Sequence, residues 1–149
     1  MNGIVLLDAS PLGMISNPSA TPANLECYNW MESLLTSGYQ IIVPEIADYE
    51  VRRELLRAGK ILGLARLDLL KNTLDYLPLT TAVMLKAAEL WAQARNQGMP
   101  TADAKALDCD VILAAQAIAE NGIVATENVG HLSLFVEAKD CRDILPLQY

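Results

Sequence analysis

The 149-residue chain predicts an α/β fold in three layers, with helices on both faces of a central parallel sheet of four to five strands. Two patterns carry that expectation. Short apolar runs alternate with longer segments of helical period along the whole chain, the order that gives parallel strands joined by right-handed crossovers. The runs Ile4-Val5-Leu6-Leu7 and Ile123-Val124-Ala125 are apolar without interruption, as strands covered on both faces are. A third observation bounds the size of the unit. At 149 residues and 52% hydrophobic content, the chain can bury a full core without disulfide or metal staples, so one domain over residues 1–149 is expected.

The first strand ends at Leu7 and leaves Asp8 at its carboxyl end. Ala9-Ser10-Pro11 should turn the chain, because proline restricts the residue before it and starts helices rather than continuing them. Residues 17–22 read as loop. A helix over 23–36 carries Leu25, Tyr28, Met31, Leu34 and Leu35 at helical spacing and ends near Gly38. A second strand spans 39–43. Pro44 and Glu45 open the next helix, with Ile46, Tyr49, Val51 and Leu55 as core candidates and Glu50 about one turn inside. Gly59 and Gly63 mark a break, followed by a helix over 64–74 and a short strand over 76–79. Thr80-Thr81 caps a helix over 82–97 that stops at Gly98, and 99–103 is a loop containing Asp103.

The segment 107–132, LDCDVILAAQAIAENGIVATENVGHL, organises the rest. Asp108 and Asp110 open an alanine-rich helix over 111–119, one of them as its cap and Asp110 as the better candidate to face a site. Asn121-Gly122 stops that helix, since either residue can take the left-handed conformation that ends one. The strand Ile123-Val124-Ala125 follows. Thr126, Asn128 and His131 come at its carboxyl end, where open α/β sheets place ligands. Residues 144–147 read as a final edge strand, where Pro146 is tolerated.

Charge narrows the function. The net charge is −7, whereas proteins that hold nucleic acid by surface alone are usually basic. A nucleic-acid role therefore needs a local basic patch, a bridging cation or a partner. Arg52, Arg53, Arg57 and Lys60 form the most basic run, either a solvated helix face or a docking patch for phosphate or an acidic partner. No apolar run approaches the ~18 residues of a membrane span, and MNGIVLLD lacks the basic region of a signal peptide. Cys27, Cys109 and Cys141 form no CxxC pair and read as small buried hydrophobes in a reducing cytosol. The expectation is a cytoplasmic protein.

Parallel strands share one carboxyl edge. Asp8 ends the first strand, Glu50 lies in the helix after the second, and Asp110 opens the helix that runs into the fourth. All three should meet at that edge. Converging carboxylates repel unless a positive charge sits between them, and an oxygen-only donor set suits Mg²⁺ or Mn²⁺ rather than zinc. Taken singly, each has a structural role open to it: Asp8 could cap a turn, Asp110 could begin a helix, and Glu50 could pair with Arg53.

These residues resemble a PIN domain, the metal-dependent ribonuclease fold of VapC-type toxins. The marks are the strand ending in Asp8 with Ser10 two residues on, the P-x5-E of PEIADYE ending at Glu50, and DVILAAQAIAENGIVATENVGHL. The last is similar to the family's D-x-x-I-A-A-x-A…G…T-x-N-x-x-D/H pattern and is the most specific. The resemblance implies metal ligands at Asp8 and Asp110, with Glu50 assisting the metal or its water. It also implies supporting roles for Ser10, Thr126 and Asn128, with Asp108 nearby. His131 stands where many members carry an Asp, and Glu127 where Arg is common, so the site departs from the family pattern at two positions.

The function so implied is a Mg²⁺- or Mn²⁺-dependent endoribonuclease, the toxin of a toxin–antitoxin pair, acting as a homodimer and silenced by a cognate antitoxin. Arg52, Arg53 and Arg57 would then contact RNA phosphate or an antitoxin carboxylate. The alternative is a PIN-like module that cleaves weakly and binds nucleic acid or protein, which His131, Glu127 and the acidic balance favour. A phosphoacceptor receiver domain would need a Lys after a late strand, and no GxxxxGK or GxGxxG loop occurs.

Overall fold

The structure is a computed structural model that describes residues 3–98 and 104–148, residues 104 and 105 by their backbone. The expected loop 99–103, with Asp103, lies outside the described residues. Among the described residues, five strands form one parallel sheet: β1 (Ile4–Leu7), β2 (Gln40–Pro44), β3 (Asp75–Leu77), β4 (Ile123–Ala125) and β5 (Ala138–Lys139). Their order is β3-β2-β1-β4-β5, so β1 is central and Leu6 lies opposite Ile42 on one side and Val124 on the other.

Side-chain alternation along these strands separates two cores. Val5, Leu7, Ile41, Val43 and Ala125 face the helices α1 (Ala9–Ser16), α2 (Pro22–Ser37), α3 (Glu45–Arg57) and α4 (Ile61–Thr73). Leu6, Ile42 and Val124 face Leu113 and Ala117 of α6 (Ala104–Glu120) and Leu132 of the one-turn α7 (Val129–Leu132). This is the expected three-layer arrangement. The helix α5 (Thr81–Asn96) packs Val83, Ala87, Leu90 and Ala94 on Leu107, Val111, Ala114 and Ala115 of α6, a cluster without a strand residue. A 3-10 turn, Cys141–Asp143, follows β5.

Local chemistry sets the helix ends. Thr21 and Thr80 accept hydrogen bonds from the N–H groups of Asn24 and Val83, capping α2 and α5. Gly38 ends α2 at φ 103°, and Gly59 separates α3 from α4 at φ 66°. After α6 the left-handed residue is Asn121, at φ 53°. Gly122 answers a different need, because a Cβ there would lie 2.6 Å from Leu6 Cδ1 and 2.9 Å from Ile4 Cγ2. Gly122→Ala should therefore push α6 off β1 and cost about 1–3 kcal/mol of overpacking. A denaturation midpoint unchanged from wild type would contradict that close approach.

Several sequence expectations need correction. Ala9-Ser10-Pro11 is no mere turn but the start of α1; Pro11 fits within the first helical turn, where backbone N–H groups have no intrahelical partner. Gly63 does not break a helix: it is buried inside α4, 3.0 Å from Leu55 for an added Cβ, and Gly59 alone makes the break. Tyr49, Leu25 and Tyr28 were core candidates by spacing, yet they are 54%, 48% and 37% exposed, on the outer sides of their helices. Residues 144–147 form no strand. The fifth strand is Ala138–Lys139. Ile144 is buried in the core on the α1–α4 side, and its carbonyl accepts a bond from Trp30 Nε1 at 3.0 Å. Among the described residues, no helix is long and apolar enough to cross a membrane.

Candidate active site

Asp8 follows β1, and its backbone N–H continues the ladder by donating to Ala125 O at 3.0 Å. That bond fixes the residue at the carboxyl edge beside β4. Its Oδ1 accepts the N–H of Ala9 at 2.7 Å, capping α1, and its Oδ2 accepts the hydroxyl of Thr126 at 2.7 Å. Thr126 is fully buried, and its oxygen also accepts the N–H of Asn128 at 2.8 Å. Ser10 Oγ accepts the N–H of Glu127 at 3.2 Å, which ties the start of α1 to the same loop. One carboxylate is thereby held by strand, helix and loop at once, with lone pairs left on both oxygens.

Glu50 on α3 and Asp110 on α6 face Asp8 across an open cleft of about 620 Å³. Ala9, Ser10, Arg53, Ala106, Cys109, Glu127 and Asn128 complete its lining. Burial is the main reason that the Glu50 carboxyl is pushed up to about 7; the Asp8 charge adds to it, Arg53 opposes it, and Asp110 adds again. Asp110 is pushed up to about 6 by burial and then by Asp8, with His131 acting in the opposite direction. The three acids predicted from sequence thus share one cleft and feel each other's charge.

His131 Nδ1 lies 3.2 Å from Asn128 Nδ2 and 4.0 Å from Asp110 Oδ2. An amide nitrogen only donates, so the first contact requires a neutral ring protonated at Nε2. A protonated ring would instead offer Nδ1–H to Asp110.

The three candidate arginines divide. Arg53 lines the cleft, exposed, with its guanidinium 5.1 Å from the Tyr49 ring centroid. Arg52 points the other way, held by buried Asp48 at 3.0 Å and by Asp68 at 2.7 Å. Arg57 pairs with Glu54 at 2.9 Å and is largely exposed. Asp108 is exposed and outside the cleft lining, and it caps nothing, because α6 begins at Ala104.

That earlier helix start explains what the sequence missed. With α6 extended backwards, Ala106, Cys109 and Asp110 fall on one face at helical spacing. The Cys109 thiol, pushed up to about 11 by burial and by Glu50, hydrogen-bonds the Glu50 carboxyl. Starting the helix at Asp108 hid this stripe.

The donor chemistry fits a hard divalent cation: Asp8 and Asp110 offer carboxylate oxygens with free lone pairs, Glu50 stands by, and among the described residues no His–Cys set competes. Among the described residues, however, no three His, Cys, Asp or Glu groups already stand close enough together to enclose an ion. The side chains would have to draw inward to do so.

A family model, the PIN domain, matches residues 5–133. Among solved structures, the chain is similar to VapBC2 from Rickettsia felis bound to a DNA fragment from the promoter, at 19% identity and TM-score 0.73, covering 92% of this chain and 98% of that one. It is also similar to FitAcB from Neisseria gonorrhoeae, at 20% identity and TM-score 0.64, covering 94% and 99%. VapBC-1 from nontypeable Haemophilus influenzae gives 15% and 0.67, covering 94% and 99%. At these identities the likeness is one of fold. No curated protein matches the sequence.

Proposed function

Because the chain belongs to the PIN domain family, whose members are generally nucleases using divalent metal ions, we propose that its carboxylate cleft is the active site of a Mg²⁺- or Mn²⁺-dependent endoribonuclease. The observation that carries this reading is the convergence of Asp8, Glu50 and Asp110, from β1, α3 and α6, on one cleft. Asp8 and Asp110 would hold the cation. The chemistry such an ion supplies is a lowered pKa for bound water and stabilisation of charge on a phosphodiester oxygen.

The protein's own groups do the rest. Glu50, which burial and the Asp8 charge push up to about 7 and a cation beside it would favour in its ionised form, would take a proton from the attacking water. The Thr126 hydroxyl and the Ala9 N–H aim the Asp8 carboxylate, and Asn128 holds the His131 ring through Nδ1. Arg53, exposed at the rim, suits a backbone phosphate of the RNA and gives an acidic protein a local handle on a polyanion. Arg52 and Arg57, each bound to carboxylates, support the helix rather than this contact.

The similar solved structures are VapBC and FitAB assemblies, which supports reading this chain as the toxin of a pair with a cognate antitoxin; a homodimer in the cytoplasm belongs to the same proposal. His131 lowers the negative charge relative to an Asp there. His131→Asp should tighten Mn²⁺ binding several-fold, since each added carboxylate strengthens a hard-cation site. Unchanged or weaker binding by titration would place His131 outside the coordination sphere.

The test is cleavage of a mixed RNA pool by purified, antitoxin-free protein with Mn²⁺ and with chelator, beside an Asp8→Asn/Asp110→Asn double variant. Cutting that needs metal and is lost in the variant is the expected outcome. Folded protein that binds the pool without cutting it would favour the alternative, a weakly catalytic binding module.

A further inference from the structure

Cys27 and Cys141, far apart in sequence, meet beside α1. Cys27 is buried on α2, and Cys141 opens the 3-10 turn after β5, packed against the cluster that contains Cys27. Both wall a cavity of about 450 Å³ together with Pro11, Met14 and Trp30. The Cys27 thiol donates to Pro11 O at 3.7 Å, and the two thiols hydrogen-bond each other. Trp30 Nε1, bonded to Ile144 O at 3.0 Å, fixes the turn on α2. The cavity opens to solvent beside exposed Glu26, Glu127 and Arg142, so a small neutral molecule can reach the sulfurs.

We propose that Cys27 and Cys141 form a reversible disulfide pair, oxidised by a small neutral peroxide, that pins α2 to the turn following β5. The hydrogen bond from Cys141 favours the Cys27 thiolate and holds the Cys141 thiol protonated, so Cys27 is the first nucleophile. Its sulfur attacks one peroxide oxygen, the O–O bond breaks, and the departing hydroxide takes up a proton as water, leaving a sulfenic acid. The Cys141 sulfur then displaces hydroxide from that sulfur, and its own proton leaves in the second water. Two thiols are oxidised, and one peroxide is reduced to two waters. Cys109 has no such partner: burial, then the Glu50 charge, pushes it up to about 11, out of the reactive range.

The experiment uses the reduced, full chain treated with hydrogen peroxide and followed by thiol titration, intact mass and peptide mapping. Free thiols should fall from the three of the reduced chain to Cys109 alone. The mass should drop by the two thiol hydrogens, and one linked peptide should join the segments of Cys27 and Cys141. Dithiothreitol should reverse all three changes. Closing a loop of roughly a hundred residues should also raise Tm by about 5 °C or more. Cys109→Ser should retain the link and Cys141→Ser, at a half-buried position that tolerates the change, should lose it. Persistence of all three thiols under conditions that oxidise a reference dithiol would overturn the proposal, as would Cys27 and Cys141 recovered only as sulfinic acids or linked between chains.

Discussion

Replacing Asp110 by Asn should abolish RNA cleavage while making the metal-free protein more stable at neutral pH. The two effects have one cause. Burial and the Asp8 charge push the Asp110 carboxyl up to about 6, so the fold favours its protonated form. The folded chain then binds more protons than the unfolded chain between the ordinary carboxylate range and about pH 7, Glu50 adding to the difference. Stability from these groups is fully present at acid pH and is lost as pH rises through their folded pKa values. An amide at position 110 removes that loss, worth about 1–2 kcal/mol at pH 7.5 once discounted for solvent screening. A cation reverses the sign, because it favours the ionised carboxylates. The gain in Tm from Mn²⁺ should therefore grow from pH 5 to pH 8 in wild type and vanish in Asp110→Asn. Loss of a direct ligand should lower cleavage by at least ~10²-fold, since even outer-shell partners of metal ligands matter by 10- to 100-fold. An amide variant that is less stable than wild type in chelator at pH 7.5 would contradict the electrostatic account of the cleft.

Asp48→Ala should produce the largest loss of stability, without touching the chemistry directly. Asp48 is 5% exposed, and its carboxylate is held by Arg52 at 3.0 Å, Lys71 at 3.4 Å and the Tyr76 hydroxyl at 3.1 Å. These partners come from α3, α4 and β3. Removing the acid leaves Lys71 without its ion-pair partner, Arg52 with Asp68 alone and the half-buried Tyr76 hydroxyl with only its 3.4 Å bond to Glu45, a loss of about 3 kcal/mol by comparison with broken buried pairs. Two positions apart on a helix, Asp48 and Glu50 face different ways. Urea denaturation should show the loss, while the fraction still folded should cleave RNA at the wild-type rate. A midpoint within error of wild type would mean that Arg52 and Lys71 are satisfied by Asp68 and water.

The parallel sheet and the three acids were legible in the sequence because they rest on strong local signals. The runs Ile4–Leu7 and Ile123–Ala125 are apolar and abruptly bounded, and each ends in a polar residue at the carboxyl edge. The edge strand Ala138–Lys139 was not legible. Two residues present no pattern, and the apolar residues 144–147 drew the assignment instead. The direction of Arg52 was also hidden, since its partners Asp48 and Asp68 lie on two helices whose packing only the fold reveals. Cys109 was missed for a related reason: its place on the cleft face depends on α6 beginning at Ala104. Helical periodicity assigns faces only after the helix start is known.

The most direct measurement is Mn²⁺ binding to the purified protein at pH 7.5, by electron paramagnetic resonance, in wild type, Asp8→Asn and Asp110→Asn. A single cation held by Asp8 after β1 and Asp110 on α6, as proposed, predicts a site present in wild type and lost in both variants, though they lie on different elements. Equal Mn²⁺ binding by all three proteins would contradict it.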